Sequence, residues 1–455
     1  MPVSTLDILS LGLTAAVGLA GVISVFRHAD RRINLPVLFL TCLFLYLGGG
    51  GCFSLMVGDP WDLKNYMDLY AIAPGDITRG CLAVMAHGLA LWFMAHVLPK
   101  PVVVSHSEIV HLVQLVIKDP YLKLVLVGAA IVQVYALAIG SFGFEGVLLD
   151  TSTGELGMAS PWALLANWMS TALAPTCVFV AAARRKITLP LLVGFLWNLG
   201  LVALVSRRNF LSVTFISILP LFIFSFSRRL RLTVIFSAAG AGIFAMVVFF
   251  SFRLSMWEHE LDRTKVGGIV LGGVGMLKDR EMIKSRLLEN VSTRTLNICY
   301  TSLIAKHSHW ATGANGEILG YSFASIVPTF LYPQKPYFSA IGGEEGVTMR
   351  VFSIQTERDE NNSIVTAALT DFGYLGLLAY AIVLYLIIAI AVKAVRCCRI
   401  TSLSLSALCL LLFTLTDIEN QFAAMLVSLR LIVTLCIVGG AWIGLLPRKA
   451  KGLLQ

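Results

Sequence analysis

The stretch Asp371-Phe-Gly-Tyr-Leu-Gly-Leu-Leu-Ala-Tyr-Ala-Ile-Val-Leu-Tyr-Leu-Ile-Ile-Ala-Ile-Ala-Val392 carries no charge after its first residue. As a helix it is long enough to cross the ~30 Å hydrocarbon layer of a bilayer. Comparable stretches lie at 5–26, 34–57, 78–98, 123–142, 161–183, 187–205, 209–226, 232–252, 401–417 and 422–446. With 370–392 they predict about eleven transmembrane helices. Composition agrees. Of 455 residues, 57% are hydrophobic and 13% charged, where a soluble domain has about 25% charged, and mean hydropathy is +0.82. The expected fold is an all-α polytopic membrane protein. A β-barrel would alternate at period two in segments of about ten residues. The first stretch lacks a basic leader and a small-residue cleavage site, so it reads as a retained helix.

Charge between the apolar stretches gives an expected orientation. Arg27, Arg31 and Arg32 share one connection. Lys100, Lys118 and Lys123 share the next on that side, followed by Arg184, Arg185 and Lys186. The series continues with Arg228, Arg229 and Arg231, then Lys393, Arg396 and Arg399, then Arg448, Lys449 and Lys451. The short connections of the other set hold only Lys64, Arg79, Arg207 and Arg208. The positive-inside rule makes the first set cytoplasmic, with the N-terminus outside and the C-terminus inside. The net charge of +9 is thereby mostly a topology signal. The basic residues sit in small clusters beside spans rather than on one soluble face, so nucleic-acid binding is not expected.

A polar stretch of about 110 residues, 253–362, interrupts the apolar pattern. It divides the chain into a membrane bundle over 1–252, an external loop domain over 253–362, and a second membrane bundle over 363–455. The loop holds 12 Lys/Arg and 12 Asp/Glu, so it is no polybasic patch. Leu277, Met282, Ile283 and Leu287 have the spacing of an amphipathic helix. A second helix is expected from Ser292 to Ile304, with Ser292 or Thr293 as its cap. Glycine and proline dominate from Gly313 to Gly346, which predicts irregular, packed chain. Asn362 or Ser363 is placed to cap the next span. Cys299 is the one cysteine of nine in this stretch, so no bridge within it is expected. Gly48 to Gly51 in the second span read as close helix packing or a kink.

Several residues suit the binding of an anion at the outer membrane surface. Arg207 and Arg208 sit on a short external turn, against the positive-inside bias, where guanidinium forks can grip phosphate oxygens. Arg253 is expected at the same depth, where the eighth span ends. Arg294 lies among the hydroxyl residues Ser292, Thr293 and Thr295. Arg430 falls about eight residues inside the last span. An intramembrane arginine usually faces a wet cavity or a partner, and Asp371 is the expected partner. The run Glu258-His259-Glu260-Leu-Asp262 fits no standard ligand spacing, and no metal is expected. His309, His259 and Glu360 are candidate general bases on chemistry alone.

Three stretches carry a family resemblance. They are Ser206-Arg-Arg-Asn-Phe-Leu211, the segment from Ser292-Thr-Arg-Thr-Leu through Gly320-Tyr to Ile326-Val-Pro-Thr-Phe-Leu-Tyr-Pro-Gln-Lys-Pro336, and Ala368-Leu-Thr-Asp-Phe-Gly-Tyr-Leu-Gly376. Together with the span layout, they resemble the Wzy-type O-antigen and exopolysaccharide polymerases, bacterial inner-membrane proteins related in architecture to the O-antigen ligases. The resemblance implies a GT-C-like architecture and a glycosyltransferase needing no cofactor. Its substrate would be an undecaprenyl-diphosphate-linked oligosaccharide, passed with inversion onto a second lipid-linked unit. A chain-length regulator and a flippase would be partners besides membrane lipids. Arg207 and Arg294 would contact the diphosphate, with Lys335 in support. Tyr332 stands where the family commonly has tryptophan, so Tyr332 and Tyr337 would offer aromatic surface to sugar. Pro328-Thr329 departs from the family's Pro-Arg, so a phosphate contact from that arginine is missing. An O-antigen ligase would use the same donor with a different acceptor. A transporter of lipid-linked sugars is the reading from another class, and the absence of evident internal repeats weighs against it.

Overall fold

The computed structural model describes residues 3–56, 63–119, 121–139, 142–143, 146–147, 161–205, 207–258, 266–277, 280–310, 313–327, 332, 344–353, 363–398, 400–416 and 422–445. Within them the chain is almost wholly helical. In chain order the first half is α1 (Thr5–His28), α2 (Leu35–Phe44), a π-helical turn (Leu45–Gly49), α3 (Gly50–Ser54), α4 (Leu63–Leu69), α5 (Asp76–Val97), α6 (His106–Lys118), α7 (Tyr121–Ala138), α8 (Pro161–Arg184), α9 (Leu189–Val205) and α10 (Arg207–Ile223). There follow α11 (Arg228–Glu258), α12 (Val266–Met276), α13 (Arg280–His307), α14 (Glu317–Ile326), α15 (Glu344–Phe352), α16 (Ile364–Phe372), α17 (Tyr374–Cys397), α18 (Thr401–Thr416) and α19 (Phe422–Leu445). A short antiparallel ribbon pairs β1 (Arg32–Asn34) with β2 (Val103–Ser105), clipping the α1–α2 connection to the α5–α6 connection. A second ribbon pairs β3 (Phe142–Gly143) with β4 (Gly146–Val147).

Among the described residues, each of the eleven apolar stretches lies mainly on helix, two of them on successive helical segments, but not all are equal. Among the described residues, six helical segments are long and apolar enough to cross a membrane: α1, the continuous rod Leu35–Ser54, α5, α8, α11 and α17. A seventh is counted if α6 and α7, bent by 83° at their junction, form one span. α9, α10, α18 and the Phe422–Ile437 part of α19 contribute shorter apolar lengths. The protein is thus a helical, multi-pass membrane protein in its general character.

The glycine run of the second span is a packing device. Leu45–Gly49 widens into a π-turn, and Gly48 lies against the α1 backbone. A Cβ there would stand 2.6 Å from the Ala15 nitrogen and 2.8 Å from Thr14 Cβ. Gly18 of α1 returns the close approach, its virtual Cβ 2.7 Å from the Leu45 nitrogen. Small residues let two helices touch where lipid offers no hydrophobic drive to hold them together. Buried polar side chains lock other pairs. Gln133 of α7 donates to Asn198 of α9 at 2.8 Å and accepts from the Trp197 indole at 2.7 Å. At the opposite end of the rods, Arg396 of α17 donates to Glu108 and to the carbonyls of Val103 and Lys100.

The polar stretch departs from its expected shape. α11 runs on to Glu258, so Arg253 lies inside a helix rather than at the start of a loop. The two helices expected around Leu277–Leu287 and Ser292–Ile304 are one helix, α13, and neither Ser292 nor Thr293 is a cap. Its last turns join the apolar core: Asn297 through Ala305 are all buried, and Gly80 of α5 approaches within 2.9 Å of Ser302 Cα by its virtual Cβ. The hydroxyls there bond to their own helix, Thr301 to the Asn297 carbonyl and Ser302 to the Ile298 carbonyl, both at 2.6 Å. The polarity of these hydroxyls is consumed inside the helix. Cys299 is buried in these turns. The span expected at 370–392 is broken at Gly373 (φ 59°) into α16 and α17, and Ser363 caps α16 in a reciprocal box with Thr366.

The glycine contacts make a specific prediction. Gly48→Val forces the α1 and α2 backbones apart, at about 1–3 kcal/mol for overpacking. Gly49→Val, one residue on, meets nothing within 4 Å. The melting temperature of the purified protein should fall for the first variant and hold for the second. Equal effects from both would show that the run acts through chain flexibility.

Candidate functional site: charged groups and aromatics at the ends of the helices

Asp371 and Arg430, expected to pair, do not meet. They hold opposite ends of the same helix, α14. Asp371 accepts from the Ile318 and Leu319 amides at 2.8 Å each and from the Tyr380 hydroxyl at 2.6 Å. Those amides are the second and third of α14, among the four that a helix leaves without partners. Gly316, the residue before α14, has φ 84° and offers no side-chain cap, so a carboxylate from α16 fills the role. At the far end, Arg430 Nη1 donates to the Ser325 and Ile326 carbonyls at 3.3 and 3.0 Å. A negative group thus faces the positive end of the helix dipole and a positive group the negative end. α14 is itself a correction, since 313–346 was expected to be irregular. Ile318 and Ser322, one turn apart, are its buried face.

The same device recurs. Asp7, fully buried in α1, accepts from the Ser4 hydroxyl at 2.6 Å, the Gly75 amide at 2.8 Å, and the Thr78 amide and hydroxyl at 2.9 and 2.8 Å. It caps α5. Asp119 accepts from Thr401 and from the Ser402 amide at the start of α18. Glu344, also buried, receives the Ala423 amide at the start of α19.

Near the Asp7 end a cluster faces solvent. Asp76 opens α5, with Lys306 Nζ at 3.1 Å and Arg79 at 3.7 Å. Lys306 also donates to the Ala71 carbonyl. The Tyr374 hydroxyl donates to the Ala305 carbonyl at 2.7 Å, closing the end of α13. The Tyr374 amide donates to the His309 carbonyl, and its ring lies 5.9 Å from that of Trp310. Trp310 is 75% exposed. Nearby, Glu317 pairs with Arg350 across the surface, and this hydrogen bond raises the guanidinium above its already high ordinary value.

The remaining sequence candidates distribute as follows. Arg207 and Arg208 are the first two residues of α10, Arg253 lies five residues before the end of α11, and Arg294 lies mid-way along α13. The side chains of these four lie outside the described residues, as do His259, Lys335, Tyr337 and Glu360 altogether. His309 and Tyr332 are exposed. No cluster of three His, Cys, Asp or Glu placed to hold a metal occurs among the described residues. Sequence reasoning passed over Trp310, Lys306 and Tyr374. The signal available was an aromatic and a cation immediately flanking His307-Ser-His309, at the end of a helix.

The capping geometry is testable. Asp371→Ala strands buried amides, at about 1–3 kcal/mol for each donor left without a partner, and should lower the melting temperature. Exchanging the charges, Asp371→Arg with Arg430→Asp, should leave the loss unrepaired, because the two groups serve a helix and not each other. Recovery of stability in the exchanged protein would instead establish a direct ion pair.

Comparison of the chain with protein-family models, with curated proteins and with solved structures finds no match in any of the three.

Proposed function

We propose that this chain is a polysaccharide polymerase that crosses the bacterial inner membrane about eleven times, with its N-terminus and the 253–362 segment on the outer side. It transfers a polyprenyl-diphosphate-linked oligosaccharide onto a hydroxyl of a second lipid-linked repeat unit. The observation that carries this reading is the likeness of three stretches, 206–211, 292–336 and 368–376, to the Wzy-type polymerases. The exposed Trp310, with Tyr374, Lys306 and Arg79 close by, supports it. An aromatic face suits a pyranose ring, and cations suit a diphosphate.

The chemistry asks little of a cofactor. The acceptor oxygen attacks the anomeric carbon from the side opposite the diphosphate, the carbon–oxygen bond to phosphate breaks, and the hydroxyl proton passes to a base. Diphosphate leaves well, so the protein's task is to orient the acceptor and stabilise the charge that develops. Arg207 and Arg294 are assigned to that charge. Arg207 opens a helix of 17 residues, and a helix start adds unpaired amides that favour an anion. His309 is the described candidate for the base, its backbone anchored by Tyr374 while its ring stays exposed.

Arg207→Ala and Arg294→Ala should leave protein levels intact and lower turnover by about 10²–10³, the usual effect of removing one such charge contact, so that long polymer disappears from a gel of cell-surface polysaccharide. Normal-length polymer from both variants would overturn the diphosphate assignment. Purified protein given lipid-linked repeat units should release polyprenyl diphosphate. Movement of intact units across a vesicle without that release would make the protein a transporter.

A further inference from the structure

At the end of the bundle opposite Asp7, the last turns of α1 and α5 and the β1 strand enclose an open cleft of about 160 Å³. That is roughly ten times the ~10–15 Å³ a single water needs. Its polar lining comes from Ser24, His28, Arg32, Asn34, Trp92 and His96, and no carboxylate lines it. The two imidazoles are held alike. His28 Nδ1 lies 2.9 Å from the Ser24 carbonyl, and His96 Nδ1 lies 2.8 Å from the Trp92 carbonyl. A carbonyl can only accept, so each Nδ1 carries the proton and each ring has its Nε2 left to offer. The His96 ring is steadied by the Trp92 indole, centroids 4.1 Å apart. Asn34 accepts the Val37 amide through Oδ1 at 3.4 Å, which leaves its Nδ2 donor. Arg32 adds a permanent charge from a strand whose backbone is fixed by pairing to Ser105.

We propose that this cleft binds the phosphate of an anionic lipid headgroup. A guanidinium, an amide donor and the Nε2 edges of two imidazoles line one cleft where apolar helices end, and no carboxylate lines it, the nearest in sequence being the exposed Asp30 of the same turn. Charge-assisted bonds to phosphate oxygens are the strongest such a set can make. The neighbouring Arg27 and Arg31 add to the positive field of the surface. Inorganic phosphate presents the same oxygens without the acyl chains. The site is remote from the Trp310 cluster and does not depend on the polymerase reading.

The test uses the full-length protein in an uncharged detergent, titrated calorimetrically with dihexanoyl phosphatidic acid, with inorganic phosphate, and with dihexanoylglycerol, which has no phosphate. Saturable binding of the phosphatidic acid and none of the glycerol lipid is expected. Arg32→Gln should weaken that binding by about tenfold, the loss of one charge-assisted contact. His28→Gln with His96→Gln, both at exposed positions, should do the same independently, and both proteins should elute as monodisperse as the parent. Competition by inorganic phosphate makes phosphate itself the ligand, whereas its failure to compete makes the acyl chains part of recognition; each upholds the site. Absence of saturable binding, or binding unchanged in both variants, overturns it.

Discussion

A helix that starts inside a dry bundle exposes amides with no water to satisfy them, and here carboxylates borrowed from other helices take that place. Asp7 of α1 serves α5, Asp371 of α16 serves α14, Asp119 serves α18 and Glu344 serves α19. Each bond joins two elements distant in sequence and so fixes packing as well as a helix end. An unpaired buried amide costs about 1–3 kcal/mol, and in hydrocarbon the requirement is stricter still. Among the described residues, Asp7, Asp371 and Glu344 are three of the four buried carboxylates, the fourth being Asp76.

The same constraint lets short helices exist at all. Ten residues make a helix too brief to be stable alone. α14 persists because Asp371 closes one end and Arg430 the other, with Arg430 supplied by α19 across the bundle. α16 is buried from Ile364 to Asp371 and pressed onto α17, where a Cβ on Gly376 would collide with the Ala368 carbonyl. The break at Gly373 turns the chain sharply enough to bring Asp371 under the start of α14. The Asp-Phe-Gly-Tyr-Leu-Gly run is therefore a joint. One glycine permits the turn, the other permits the contact, and the acid between α14 and Tyr380 sets the angle.

Helical class and the positions of the apolar stretches were legible because hydrophobic length is a property of local sequence. The close packing at Gly48 was equally legible, since a run of glycines in an apolar helix has few other uses. The course of the polar stretch was not. Asn297 to Ala305 reads as a helix of an external domain because Thr301, Ser302 and Asn297 are polar, yet the hydroxyls turn back onto carbonyls four residues earlier and the helix enters the core. Pairing Asp371 with Arg430 failed for a related reason. Sequence shows two opposite charges at depth but not the helix termini, whose partial charges are alternative partners for both. Arg207, Arg208, Arg253 and Arg294 were placed on helices by backbone, and the proposed function still rests on the likeness of the stretches that contain Arg207 and Arg294.

The capping arrangement also narrows the choice of base for the proposed transfer. A general base needs an open lone pair within reach of the acceptor hydroxyl. Asp7 already receives four donors and Asp371 three, so the oxygens of each are occupied and taking up a proton would break a helix cap. Asp76 is bound by the Ala73 amide and paired with Lys306. The acids near the Asp7 end are thereby committed to structure. His309 differs in kind. Its carbonyl is bound by Tyr374, which sets the backbone, but its side chain stays exposed. A base that costs no helix cap when it takes a proton can cycle without loosening the fold.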